Sequence, residues 1–529
     1  MRRADNKPSG PQRDSALARA RLPSRTVSLS DGLTSRIPAV RRASRQSQRL
    51  GLWQPARAMA GSRSQIVEGL TPLHAWLLLA GLLVGGIVLR VETIGGHLPN
   101  DEGYSYLIGS APSVGAFLHR LAAYENTPSL FYLLLTPLPL TNGVGWLRLP
   151  AAVPGALIPL MLFALLRKRL GLRAALLAAA LVAVAPFEVS YSDYSRGFML
   201  EGVGCMLGLW AMLRILDGGG WRWWLLYVIA GIEAVYSEYL AIIFLVALTI
   251  SAFVTAPRYR WRIGLLGLAP ILSLAPWIGQ IERGQRALHQ TKQFATFPGP
   301  SLSSLRDVTV RVAAGEHGAA AGTGARWLEF LVIVAVLAGA AAVLYRRVIA
   351  DPRHPGRRTV LVIAMTGVLV LIGHALVSEL GTGSEIFYER YLTVLIPLAA
   401  AIIAAAMVEL PSRWAWRVGM LGAALVGVAV FAQRYHREYE PSLAPVRVAV
   451  AALHPRTVLT NSAVVVYYLR EFSPILDRPF GLGPGLQRSC LARCVIVDDS
   501  RVPGGTRPAP GPSGTVGFFN VRIETKAQR

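Results

Sequence analysis

The sequence predicts an all-α polytopic membrane protein of about eleven spanning helices, followed by a small extracytoplasmic α/β domain. Three observations lead there. Only 16% of the residues are charged and 53% are hydrophobic, whereas an ordinary soluble domain is roughly a quarter charged. The apolar residues fall in blocks of about 20, the length that crosses a bilayer at 1.5 Å per helical residue. The short connections between blocks alternate between arginine-rich and arginine-poor.

Residues 1–65 are rich in Arg, Ser, Pro and Gly and nearly free of aromatics. Such a segment cannot bury enough apolar surface to offset its chain entropy, so it reads as a disordered basic tail in the cytoplasm. It could lie against anionic headgroups; translation starting at Met59 is the alternative. Much of the net charge of +24 sits in this tail, which argues against nucleic acid as a partner.

Residues 66–435 read as the membrane domain, with spans near 72–90, 147–166, 172–190, 197–215, 221–237, 240–256, 262–280, 326–345, 359–378, 392–409 and 416–432. Arg167-Lys168-Arg169, Arg173, Arg214, Arg222, Arg258, Arg260, Arg262, Arg346, Arg347, Arg353, Arg357, Arg358, Arg413 and Arg417 all fall on one side. The short loops of the other side carry chiefly Arg196 and Arg390. Basic loops stay inside, which puts the N-terminus in the cytoplasm of a plasma or inner membrane. An odd number of spans then places residues 436–529 outside. There, Thr457–Leu469 and Cys494–Asp498 are β-branched runs between turn residues and read as strands. Cys205 packs within a span, while Cys490 and Cys494 could pair outside the membrane; no zinc pattern surrounds them.

The polar residues worth weighing gather at the outer ends of the spans. Asp101-Glu102, just past the first helix, could supply a general base or hold a divalent cation, or could be a solvated loop end. Glu125 precedes Thr127-Pro128 and an aromatic run that could lie in the interface; it could equally cap a helix. Arg196 could clamp a phosphate through its planar fork, or pair with Asp193. Glu233 and Tyr236 share a helix face near membrane depth, where an isolated ionisable group is costly and so a functional candidate; Glu238 lies nearer the surface. His374, within a span, reads as a packing residue.

Taken in order, these segments resemble the GT-C superfamily of glycosyltransferases. More narrowly, they resemble the protein mannosyltransferase (glycosyltransferase family 39) and aminoarabinose-transferase-like group. Asp101-Glu102 resembles its most characteristic motif, and Glu125–Tyr132 its Glu-Lys-Pro-Pro-Leu stretch. Trp146–Pro150 with Arg167–Gly171 resembles its Arg-hydrophobic-Pro entry and basic turn, and Tyr191–Arg196 its Tyr-Ser-x-x-x-Arg signature. Pro276-Trp277, Gln280 and Phe297-Pro298 resemble its next outer loop, and Phe387–Leu392 with Pro397 its late Arg-Tyr motif.

The resemblance implies a catalytic base at Asp101, supported by Glu102. It places the donor phosphate against Arg196, Arg390 and Tyr194. A divalent cation, if one is used, would be held by Glu125 and Glu238. This chain departs from the pattern at three positions: Glu238 stands where many members have histidine, Asn126 where relatives have lysine, and Thr127 at the first of the paired prolines. The implied partners are the bilayer, a polyprenyl-phosphate sugar donor and an extracytoplasmic acceptor, whether protein, polysaccharide or glycolipid. No Gly-rich nucleotide loop occurs in a strand–helix setting, in keeping with a lipid-linked donor. The rival class is a secondary transporter or a flippase of lipid-linked sugars. Transporters usually show repeated halves with broken helices at the midplane, and no such internal repeat is evident.

Overall fold

Each of the eleven apolar segments becomes helical. The computed structural model describes residues 72–283, 300–315, 322–380 and 389–435, apart from positions 93, 97, 126 and 413. Of the C-terminal part it describes 448, 450–452, 457–460, 462–470, 475–476, 494–499, 513–516 and 519–524. The basic tail 1–65 lies outside the described residues.

The helices are α1 (Pro72–Val91), α2 (Asn100–Gly109), α3 (Val114–Tyr124), α4 (Leu130–Leu135), α5 (Val144–Leu166), α6 (Leu172–Val184), α7 (Pro186–Ser192), α8 (Phe198–Leu216) and α9 (Trp221–Ser237). They continue as α10 (Ala241–Thr255), α11 (Arg260–Ser273), α12 (Leu302–Ala314), α13 (Thr323–Leu344), α14 (Arg357–Leu380), α15 (Leu395–Glu409), α16 (Ala415–Tyr435) and α17 (Ala463–Tyr468). Among the described residues, six helices are long and apolar enough to cross a membrane, or seven if the bent pair α6–α7 makes one span. The apolar stretches Trp76–Val91, Ala241–Thr255 and Leu395–Glu409 are shorter.

Small residues decide what sits in the middle. In lipid, helices associate through close packing rather than through expulsion of water, so alanine and glycine favour contact. Ala174, Ala175, Ala178, Ala179, Ala180 and Ala183 of α6 are all buried, as are Ala400, Ala401, Ala404, Ala405 and Ala406 of α15. Accordingly α6 packs on α15, α5, α16 and α1 at once.

Pro186 breaks the third span, and α6 and α7 meet at 58°. Proline has no N–H to donate and pushes the preceding residue toward extended backbone; Ala185 sits at φ −58°, ψ 121°. Buried Arg90 at the end of α1 bridges the break, donating to the Ala183 carbonyl at 3.1 Å and to Ser192 Oγ at 2.9 Å.

At one end of the bundle the basic turns meet: Arg169 pairs with Asp217 at 2.5 Å, and Arg358 donates to the Leu216 carbonyl at 2.8 Å. At the other end lie α2–α4, the Ser192–Arg196 turn and the short 3-10 turn Glu389–Leu392.

The C-terminal part is a mixed five-stranded sheet in the order β2-β1-β3-β5-β4. Its strands are β1 (Thr457–Thr460), β2 (Ile475–Leu476), β3 (Cys494–Asp499), β4 (Ser513–Val516) and β5 (Phe519–Glu524). β1 runs parallel to β2 and β3, while β5 is antiparallel to β3 and β4. The expected strand Thr457–Leu469 needs correction: β1 ends at Thr460, and Ala463–Tyr468 forms α17. Tertiary contact overrides the β-branched propensity, because Ala463, Val464, Val465, Val466 and Tyr467 are all buried and α17 packs against α2. Cys490 lies outside the described residues.

Candidate active site

The segment after α1, expected as a long outer loop, folds into three short helices, and α2 carries Asp101 and Glu102 in its first turn. Neighbouring helical residues project about 100° apart, so the two carboxylates part company. Asp101 keeps 40% of its side-chain exposure, while Glu102 keeps none.

Glu102, expected to support Asp101, is buried beneath it and engaged by the fold. Its carboxylate accepts from Arg148 Nε at 3.0 and 3.2 Å, from Arg148 Nη2 at 2.6 Å and from the Ser195 amide at 2.5 Å. Those contacts tie α2 to the start of α5 and to the turn after α7. Ser105 adds a bond from its hydroxyl to the Ser195 carbonyl at 2.7 Å.

Asp101 faces the open side. Its Oδ2 accepts from the Tyr194 hydroxyl at 2.8 Å and lies 3.5 Å from Arg390 Nη1, and its main-chain carbonyl accepts from Arg196 Nη2 at 3.1 Å. Burial alone would raise its pKa. The Arg196 and Arg390 charges and the Tyr194 hydrogen bond outweigh that and hold the carboxyl below its usual value. Burial and the Asp101 charge push the Tyr194 phenol well up, so it stays a donor.

Arg196 is the hub of the site. Its partners are the Glu125 carboxylate, the Tyr132 hydroxyl at 2.6 Å and the Asp101 carbonyl, not Asp193. Tyr132 also donates to Glu125 Oε2 at 2.8 Å. Glu125 follows the last turn of α3 rather than opening α4, and buried Gln280 fixes that corner by donating to the Glu125 carbonyl at 2.7 Å. Arg390 reaches the site from the Glu389–Leu392 turn, where Arg311 holds the neighbouring Glu389 at 3.0 Å.

Glu238 sits in the turn between α9 and α10 with 3% exposure, and its Oε1 has no hydrogen-bond partner among the described residues. Burial pushes its pKa up to about 7, against the pull of nearby backbone amides, Arg196 and Arg390. Glu233, one turn earlier, accepts from Ser237 Oγ at 3.2 Å and lies over Gly204 of α8. Tyr236 points elsewhere, donating to the Ser273 carbonyl at 2.7 Å. His374 contacts the Val370 carbonyl at 3.0 Å within its own helix.

Glu125 is engaged by a guanidinium and a phenol, which leaves Glu238 as the one carboxylate of the expected pair with an unpaired oxygen. Among the described residues no group of three His, Cys, Asp or Glu side chains converges. Asn126, Phe297, Pro298, Phe387 and Tyr388 lie outside the described residues.

Sequence reading brought together Asp101, Tyr194, Arg196, Glu125 and Arg390, and the fold brings them to one end. It passed over Tyr132 and the part played by Arg148. Both stood inside recognised motifs, but neither spacing nor composition says that a motif residue pairs with one 46 or 64 positions away.

Residues 125–278 match the family model described as dolichyl-phosphate-mannose-protein mannosyltransferase. That stretch holds Glu125, Arg196 and Glu238, and over it the match agrees with the resemblance to the protein mannosyltransferase group. Among solved structures, the chain is similar to ArnT from Cupriavidus metallidurans bound to undecaprenyl phosphate, at 14% identity and a TM-score of 0.41, over 85% of this chain and 97% of that one. It is also similar to the Archaeoglobus fulgidus oligosaccharyltransferase in the apo form, at 14% identity and a TM-score of 0.47, over 80% and 69% of the two chains. A third similar structure is the arabinosyltransferase EmbB from Mycobacterium smegmatis, at 14% identity and a TM-score of 0.38, over 78% and 42%. No curated protein sequence matches the chain.

Proposed function

We propose that this membrane protein transfers a sugar from a polyprenyl-phosphate-linked donor to a hydroxyl of an extracytoplasmic acceptor, by direct displacement. The observation that carries the reading is Asp101: reachable, ionised, and set between Tyr194 and two arginines. A carboxylate so placed can take a proton from an acceptor hydroxyl. Guanidinium groups beside it match the phosphate of a lipid donor. The family model over 125–278 is named for a lipid-phosphate-linked mannose and supports the same donor class. The arginine asymmetry of the short loops supports an outward-facing site.

In the proposed step the acceptor oxygen attacks the anomeric carbon from the face opposite the phosphate. Its proton passes to Asp101. The bond from the anomeric carbon to the phosphate oxygen breaks, and its electron pair leaves on the phosphate. Arg390 and Arg196 offset the charge gathering there. Phosphate binding also draws positive charge away from Asp101, so the carboxylate grows more basic as the donor arrives. No cation is assigned a role in this step.

Purified protein in nanodiscs, offered a panel of labelled polyprenyl-phosphate sugars and a membrane extract as acceptor, tests the reading. Transfer from one donor, abolished by Asp101→Asn, is the expected result. Movement of the lipid without transfer, unchanged by Asp101→Asn, would replace this reading with a flippase or transporter.

A further inference from the structure

We infer that the C-terminal domain is a positioning clamp on the helix that bears Asp101, acting through Gly103 and Tyr106; this rests on the reading of Asp101 as the base. Helix α2 has ten residues, and a helix this short is marginal on its own. Its direction is therefore set by what packs on it. One face, Glu102 and Ser105, is bonded to the membrane bundle through Arg148 and Ser195. The next face, Gly103 and Tyr106, belongs to the C-terminal domain.

Gly103 lies directly against the backbone of α17. A Cβ at this position would stand 2.5 Å from the Ala463 carbonyl carbon, 2.6 Å from the Val464 nitrogen and 2.8 Å from the Ala463 Cβ. Main-chain atoms cannot swing aside as a flexible side chain can, so any side chain here must part the two helices. One turn on, the Tyr106 ring meets Tyr467 edge-on at 4.9 Å. Just before α2, the Leu98 amide donates to Tyr468 Oη at 3.3 Å. Arg470 reaches further round the same outer segment, to the Thr141 carbonyl at 3.0 Å. Three residues of α17, Ala463, Tyr467 and Tyr468, thus grip the chain from five residues after Asp101 to three residues before it.

The closest of these contacts falls two residues from Asp101. A shift of about 1 Å in a catalytic group costs on the order of a hundredfold in rate. Arg196 and Arg390 stand on other elements, so loosening the clamp moves the base relative to the phosphate-binding arginines. The domain therefore sets the distance on which the transfer step depends, while donor affinity rests on groups it does not touch.

The test compares full-length wild type with Gly103→Ala and with Tyr467→Ala in nanodiscs. The expected result is a fall in kcat of about tenfold or more, with affinity for undecaprenyl phosphate held or tightened. The acid limb of the pH profile moves to higher pH, because Asp101 leaves the arginines that depress its pKa. Amides of residues 100–109 exchange hydrogen faster, and those of α8 do not. An unchanged kcat in both variants would overturn the inference, as would parallel losses of kcat, lipid affinity and thermal stability, which mark a general packing role. If wild type transfers no sugar at all, the reading of Asp101 fails separately. Hydrogen exchange still decides the clamp in that case: unchanged exchange over 100–109 in Tyr467→Ala would remove it.

Discussion

Arg148 meets Glu102 with three N–H···O contacts of 2.6–3.2 Å, in a place where the two side chains keep 6% and 0% of their exposure. The pair anchors the first turn of α2 to α5 and, through the Ser195 amide, to the turn that carries Tyr194 and Arg196. Of the two adjacent acids, one is buried in this anchor and the other faces the open side.

Removing one member of that pair leaves a buried charge unmatched, which costs about 3–5 kcal/mol. Arg148→Met is expected to lower the thermal unfolding temperature in detergent sharply, and Glu102→Gln less so, because the amide still accepts from the Ser195 amide. The double variant Glu102→Leu with Arg148→Met is expected to recover much of the loss. Equal stability of Arg148→Met and wild type would show that the pair is not an anchor.

Asp101→Asn keeps the size and the hydrogen-bonding oxygen but removes the base. Transfer is expected to fall by about a hundredfold to ten-thousandfold, while binding of undecaprenyl phosphate holds or tightens, since a negative charge beside the arginines is gone. Single-turnover transfer and lipid binding on the same preparation separate the two effects. Loss of lipid binding with transfer would assign Asp101 to structure instead.

Arg196→Lys retains the charge and loses the fork that joins Glu125, Tyr132 and the Asp101 carbonyl. Weaker donor binding and a lower kcat are expected together. Arg390→Lys, acting on Asp101 through one longer contact, is expected to do less to stability and as much to donor affinity. The two KM values and unfolding temperatures are the measurements.

The pH dependence has two limbs. Asp101 has a depressed pKa, so its share of stability is present above the ordinary carboxyl value of 3.8 and is lost as pH falls through its folded value. Transfer is therefore expected to persist in mild acid. Glu238 has its pKa raised to about 7. Its carboxyl is neutral below that pH, and as pH rises through 7 it gains a charge that competes with phosphate for Arg196 and Arg390. Donor affinity is expected to weaken across that range in wild type and to stay level in Glu238→Gln; a wild-type curve that is flat from pH 6 to pH 8 would contradict this.

Chelation bears on the same carboxylates. With Glu125 engaged by Arg196 and Tyr132, transfer is expected to survive EDTA. Loss of activity restored by added magnesium or manganese would place a cation between Glu125 and Glu238 and require Arg196 to move aside.

How much of this was legible beforehand differs by element. The helical segments were readable because lipid favours long apolar blocks, about 20 residues in a row for a span. Six or seven of the described helices are long and apolar enough to cross. The grouping of Asp101, Tyr194, Arg196 and Arg390 was readable through motif order, since alternating spans return every second loop to the same side. Thr457–Leu469 was misread beyond Thr460. Its β-branched residues fit a strand locally, and only the packing of α17 against α2 makes Ala463–Tyr468 helical.

By itself, then, the sequence determined the membrane class, the helical segments and which end of the bundle carries the polar residues, because these follow from hydropathy and charge along the chain. The tertiary structure alone decided that Glu102 is an anchor, that Arg196 pairs with Glu125 rather than Asp193, and that Gly103 touches the backbone of α17. Each depends on which residues, tens to hundreds of positions apart, share a few ångströms of space, and no local pattern encodes that.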